Sequence, residues 1–132
     1  MIGIVIVSHS ARLAEGVKEL AGQMAGEGVT IMAAGGAPDG SLGTNAEAIG
    51  AAIDQACGPD GVLVLMDLGS AVMSAQVAVE MLAPERAEKV VLSNAPLVEG
   101  AVIAAVEASI GKTLQEVDAA ALRAAQMQKV ER

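Results

Sequence analysis

The sequence predicts an α/β fold: a doubly wound, open parallel sheet of about four strands in the order 2-1-3-4, with helices on both faces, in a single domain. Three observations predict it. Four short apolar runs, none alternating cleanly with polar residues, read as strands buried on both faces. Between them lie Ala-rich segments of helical length that carry helix caps. The chain has 132 residues, one domain's worth, and no linker, repeat or charge block divides it.

The first strand is Ile2–Val7, followed by a helix that begins near Ser10 and runs to about Met24, before Gly26 and Gly28. The second strand is Val29–Ala33. The helix after it is expected to start at Thr44, which with Glu47 three residues on makes a capping-box pattern, and to stop at Gly58-Pro59 just past Cys57. The third strand, Val62–Met66, leads into a helix from Gly69-Ser70 to a point before Pro84. The fourth, Lys89–Leu92, precedes a helix starting around Asn94, with Pro96 in its first turn, and ending near Gly111. A second capping-box pattern, Thr113 with Glu116, opens a last helix expected to reach about Lys129. The order β-α-β-α-β-α-β-α-α with right-handed crossovers yields the parallel sheet.

Composition narrows the function. Hydrophobic residues make up 53% of the chain, yet Phe, Tyr and Trp are absent, so the core is Ala, Val, Ile, Leu and Met. Met66, Met73 and Met81 are read as core. Without aromatic rings there are no stacking platforms for bases or sugars. Eight scattered basic residues against 16 acidic ones, a net charge of −8, speak against nucleic acid and against an anionic membrane surface. The single cysteine, Cys57, forbids an internal disulfide and a thiolate metal cluster, and reads as a small buried apolar residue. The opening apolar run is too short for a membrane span and has no basic flank, which fits a cytoplasmic protein. No metal site is expected, because no ligand cluster is present.

Sites in open parallel sheets form at the carboxyl ends of strands, near a switch in strand order. If the order is 2-1-3-4, the ends of the first and third strands are neighbours, which brings Ser8-His9-Ser10 beside Asp67-Leu68-Gly69-Ser70. The glycine-rich stretch from Gly35 to Gly43 opens on the same edge. His9 is the only imidazole, and a neutral imidazole is a nucleophile near neutral pH. The helix start beside it offers free N–H groups and a positive dipole end to phosphate oxygens. Asp67 is placed to hold the far ring nitrogen, and Ser10, Gly69 and Ser70 to donate to phosphoryl oxygens. Leu42, Leu68, Ala71 and Val72 are candidates for an apolar rim. The plainer readings, His9 as a solvated loop residue and Asp67 as a helix cap, remain open on the residues alone.

Other phosphate and hydrolase chemistries fail on particular residues. A receiver domain needs an acidic pair where Ser8 and His9 stand. A histidine phosphatase or mutase needs Arg-His-Gly and a second histidine. The P-loop and dinucleotide glycine patterns are absent, and there is no nucleophile elbow.

Three stretches carry a family resemblance: Ile4-Val5-Ile6-Val7-Ser8-His9-Ser10, the Gly-Gly-Ala-Pro-Asp-Gly-Ser-Leu-Gly-Thr run at 35–44, and Gly61 to Ala71 around Met66-Asp67-Leu68-Gly69-Ser70. The segment Asn94 to Gly100 also fits. Over nearly its whole length, 1–132, the chain resembles the phosphotransferase subunits of phosphoenolpyruvate-dependent dihydroxyacetone kinases, relatives of the mannose-type sugar phosphotransferase (PTS) IIA domains. The resemblance implies that the phosphocarrier protein HPr phosphorylates His9, with Asp67 as its orienting partner. It further implies that His9 hands the group to a nucleotide on a partner subunit that phosphorylates dihydroxyacetone. ADP or ATP and Mg would sit on that partner; this chain would hold no cofactor beyond the phosphohistidine itself. Homodimers are the implied assembly. The alternatives are a IIA component of a mannose-type sugar transporter, and a non-catalytic α/β interaction module in which His9 is incidental.

Overall fold

The computed structural model describes residues 1–131. Its strands are β1 (Gly3–Ser8), β2 (Ile31–Gly35), β3 (Val62–Met66) and β4 (Val90–Leu92). They pair in parallel, as the apolar runs predict, and in the expected order β2-β1-β3-β4. The helices are α1 (Ala11–Ala25), α2 (Ala46–Ala56), α3 (Gly69–Glu80), α4 (Pro84–Ala87), α5 (Leu97–Ser109) and α6 (Leu114–Arg123), with a short 3-10 turn at Ala124–Gln126.

The strands lack polar alternation because both faces are covered, but their side chains still alternate between layers. Ile4, Ile6, Leu63 and Leu65 meet Ala14, Val17 and Ala21 of α1, Ala101, Ala104 and Ala105 of α5, and Val117 of α6. Val5, Val7, Val62, Val64 and Met66 meet Ile49, Ala52 and Ile53 of α2 and Ala71, Ala75 and Ala78 of α3. Alanine on the inner helix faces lets the helices approach branched aliphatic strands closely, which is how a core without aromatic rings closes. Gly3 shows how close. A Cβ there would sit 2.0 Å from the carbonyl oxygen of Ala56, a backbone atom that cannot swing away. Gly3→Ala should therefore cost about 2 kcal/mol or more of stability by overpacking, read as a lowered midpoint in urea unfolding.

The structure corrects several boundaries. β1 and β2 run one to two residues later than their apolar runs suggest. The short helix α4 fills the gap between α3 and β4, with Pro84 at its start. The second helix is capped by Asn45, not Thr44: Asn45 accepts from the N–H groups of Glu47 and Ala48, so no capping box forms. The Thr113–Glu116 box is present in full. The last helix stops at Arg123, well short of Lys129. Its buried stripe ends at Ala124, beyond which the described residues are exposed, and a helical turn without an apolar face to pack has little to hold it. Lys129 instead pairs with Glu99 on α5. Met66 is buried, but Met73 and Met81 stand 66% exposed, because α3 turns Ala71, Ala75 and Ala78 to the sheet. Cys57 is half-buried at the end of α2.

Candidate functional site at the carboxyl edge of the sheet

β1 and β3 run side by side, with Val7 opposite Met66, so the residues just beyond them emerge together. The amide of Asp67 donates to the Val7 carbonyl, carrying the ladder one step past β3. His9 and Asp67 thus meet although 58 residues apart.

Asp67 is the hub. Its Oδ2 accepts from the Ser8 hydroxyl at 2.8 Å and the His9 amide at 2.9 Å. Its Oδ1 accepts from the Leu68 amide at 2.6 Å and faces His9 Nδ1 at 2.9 Å. Burial alone would raise the carboxyl's pKa. The four donors, led by the His9 and Leu68 amides, outweigh it and hold the group below its ordinary value of 3.8. An ionised carboxylate only accepts, so in the neutral ring Nδ1 carries the proton and the lone pair is left on Nε2. The Ser70 hydroxyl lies 2.6 Å from Nε2, and against a lone pair it is the donor.

The imidazole is therefore held between a carboxylate at Nδ1 and a single rotatable hydroxyl at Nε2. The His9 side chain is 34% exposed and that of Asp67 16%, so the ring is reachable while its anchor is sheltered. Asp67 does not cap α3; Leu68 stands at the cap position with no side-chain bond. The turn into α3 needs Gly69, whose φ of +36° a residue with a Cβ resists. As the first residues of α3, Gly69 and Ser70 have amides for which the helix supplies no carbonyl. They form the positive end of the helix dipole, on the turn whose Ser70 hydroxyl reaches the ring.

Of the predicted site residues, the structure brings together His9, Asp67, Gly69 and Ser70. Ser10 is nearby but committed to local structure: its hydroxyl accepts from the Leu13 amide as the cap of α1, and its amide donates to Ser8. Leu42 and Leu68, 78% and 74% exposed, enter from the strands on either side of β1. Ala71 is buried and Val72 half-buried, so neither is a prominent rim residue. Sequence reasoning missed Ser8, whose fully buried hydroxyl ties Asp67 to the start of α1. It missed Gly43, whose amide donates to the His9 carbonyl at 2.9 Å, and the contact between Thr44 and Ser74. Signals were present: Ser8 adjoins His9, and Ser74 lies one turn beyond Ser70.

Among the described residues no cluster of three or more His, Cys, Asp or Glu is arranged to hold a metal ion. No helix among them is long and apolar enough to cross a membrane.

Comparison with known proteins places this geometry in context. A family model described as "PTS system fructose IIA component" matches residues 3–118. The phosphoryl donor subunit DhaM of the PEP-dependent dihydroxyacetone kinase of Escherichia coli is 48% identical over 120 residues, covering 89% of this chain but only 25% of that protein. The phosphoryl donor subunit DhaM of the PEP-dependent dihydroxyacetone kinase 2 of Listeria innocua is 41% identical, covering 89% of this chain and 94% of that one. The phosphotransferase subunit DhaM of the PTS-dependent dihydroxyacetone kinase of Lactococcus lactis is 36% identical, with coverage of 87% and 89%. The chain thus spans a quarter of the E. coli relative and most of the other two. A crystal structure titled as a protein of unknown function, EF1359, superposes with a TM-score of 0.82 at 35% identity, covering 93% of this chain and 95% of that one.

Proposed function

Because the chain belongs to the family of PTS fructose-type IIA components, we propose that it is a phosphohistidine carrier, the phosphoryl donor subunit of a PEP-dependent dihydroxyacetone kinase. One observation carries the chemistry: the sole imidazole has Nδ1 held by Asp67 and Nε2 turned toward the exposed side under Ser70. Dihydroxyacetone rather than a transported sugar is the acceptor system favoured, because the relatives at 36–48% identity carry that name.

In this reading phospho-HPr presents its phosphoryl group in line with Nε2. The Nε2 lone pair forms a bond to phosphorus while the donor's P–N bond breaks, its electron pair returning to the donor ring. No proton has to move at His9. Nδ1–H stays on Asp67, whose negative charge offsets the positive charge gained by the phosphorylated ring. The Ser70 hydroxyl gives up Nε2 and turns to a phosphoryl oxygen, and the Gly69 and Ser70 amides supply further donors. The transition state is loose, so positioning and charge stabilisation make up most of the catalysis. In the second step a terminal phosphate oxygen of ADP on the partner subunit attacks the phosphorus, and the P–Nε2 bond breaks. ATP and Mg belong to that partner, and nothing in this subunit beyond the phosphohistidine acts as a cofactor. A cytoplasmic homodimer completes the reading. The unpaired edge of β4, and the exposed apolar side chains of Met73 and Val77 on α3 and of Met81 just past it, are surface available for the partner copy.

The test is reconstitution. With phosphoenolpyruvate, enzyme I and HPr, the chain should acquire one acid-labile, alkali-stable phosphate, mapped to His9. It should then discharge it when dihydroxyacetone kinase subunits carrying ADP are added. Discharge only to a sugar transporter would reassign it to sugar uptake; no labelling at all would sink the carrier reading.

A further inference from the structure

We infer that Thr44 is a positioning residue for phosphoryl transfer, fixing the Ser70 hydroxyl over His9 by clasping the loop after β2 onto the first turn of α3; this rests on the carrier reading above. A closed circuit of contacts surrounds the imidazole. The His9 carbonyl accepts from the Gly43 amide at 2.9 Å. Thr44, the next residue, places its Oγ1 2.6 Å from Ser74 Oγ and 3.4 Å from the Ser70 carbonyl. The Ser70 hydroxyl returns to His9 Nε2 at 2.6 Å.

Together these links hold the loop and α3 in register. Thr44 does not cap α2, a task Asn45 performs, so its hydroxyl is free for this contact. The Ser74 and Ser70 side chains are one helical turn apart and share a face, so a clasp at Ser74 governs the turn that carries Ser70. That turn needs an outside hold, because it begins at Gly69 with an uncommon backbone conformation and has no side-chain cap of its own. The loop is tied at its other end by the Gly36 amide on the Ser8 carbonyl, so both ends rest on the strand that presents His9.

Thr44→Val keeps the shape of the side chain and removes the hydroxyl. We expect it to lower the rate constant for phosphoryl transfer from phospho-HPr about five-fold, the scale of one hydrogen bond, with little change in the KM for phospho-HPr. Thr44→Ser should restore the rate. In the Ser70→Ala background Thr44→Val should cost nothing further, because its effect passes through Ser70. Ser74→Ala, which breaks the same clasp from the helix side, should reproduce the loss and provides the test if Thr44→Val does not fold. An unchanged rate in both variants, a defect confined to KM, failure of Thr44→Ser to rescue, or full additivity with Ser70→Ala would each overturn the inference. Wild type run in parallel separates the two levels: if it takes no phosphate the carrier reading has failed, whereas if it labels normally only the role of Thr44 is at stake.

Discussion

Replacing His9 with Ala should abolish phosphoryl uptake from phospho-HPr completely, while leaving the fold in place. No second imidazole exists to take the group, and Cys57, the one thiol, lies at the end of α2, outside the site. The structural cost should be about 1 kcal/mol. The His9 side chain packs into neither core cluster, and its loss removes one of four donors to Asp67. The others, the Ser8 hydroxyl and the His9 and Leu68 amides, remain to satisfy the carboxylate. Intact-mass spectrometry at neutral to alkaline pH reads the label, and a thermal melt reads the fold. A His9→Ala protein that still carried one labile phosphate would move the chemistry to another residue.

Asp67→Asn should slow transfer by up to about 10⁴-fold, the drop seen when a triad imidazole loses the carboxylate that sets its tautomer. The substitution is nearly isosteric, but its amide group must stand somewhere. At the Oδ2 position it would point hydrogens at the His9 backbone N–H, a donor that cannot turn away. At the Oδ1 position it would face the Leu68 N–H and draw Nδ1 into accepting. The ring proton would then move to Nε2 and remove the nucleophile. Either arrangement also costs stability, about 1–3 kcal/mol, because a mostly buried acceptor of four donors becomes a partial one. The acid dependence provides a second readout. Folding lowers the Asp67 pKa, so the stabilisation from its ionised form is complete above its ordinary value of 3.8. It is lost as pH falls through the lowered folded value. The stability gap between wild type and Asp67→Asn should therefore be full at neutral pH and shrink in strong acid. A gap that stayed constant with pH would mean the carboxylate's charge is not what holds the turn.

The contrast between these residues and the peripheral ones shows what a chain can disclose unaided. Short continuous Val, Ile and Leu runs fit strands covered on both sides, and the helical spacers between them fit parallel crossovers. In the strand order 2-1-3-4 His9 and Asp67 fall on neighbouring strand ends, and the structure finds them 2.9 Å apart. Ser70 follows because the helix after β3 has to start there. Thr44 was misread for a local reason: Thr-x-x-Glu is a cap pattern, but Asn45 takes the cap and frees the hydroxyl for Ser74, 30 residues away. Met73 and Met81 were misread because a strongly apolar helix does not declare which side meets the sheet. The end of α6 was misread because alanine favours a helix intrinsically, while its last turn had nothing to pack against.

Periodicity, which depends on local backbone preference and on burial along the chain, determined the strands, the helices and the layers, and with the order 2-1-3-4 it put His9 and Asp67 at one edge. The direction of each hydrogen bond, the nitrogen left open on the ring and the clasp across the loop were decided only when distant side chains met. Such contacts are set by ångström-scale placement between elements, and no spacing within one element encodes that.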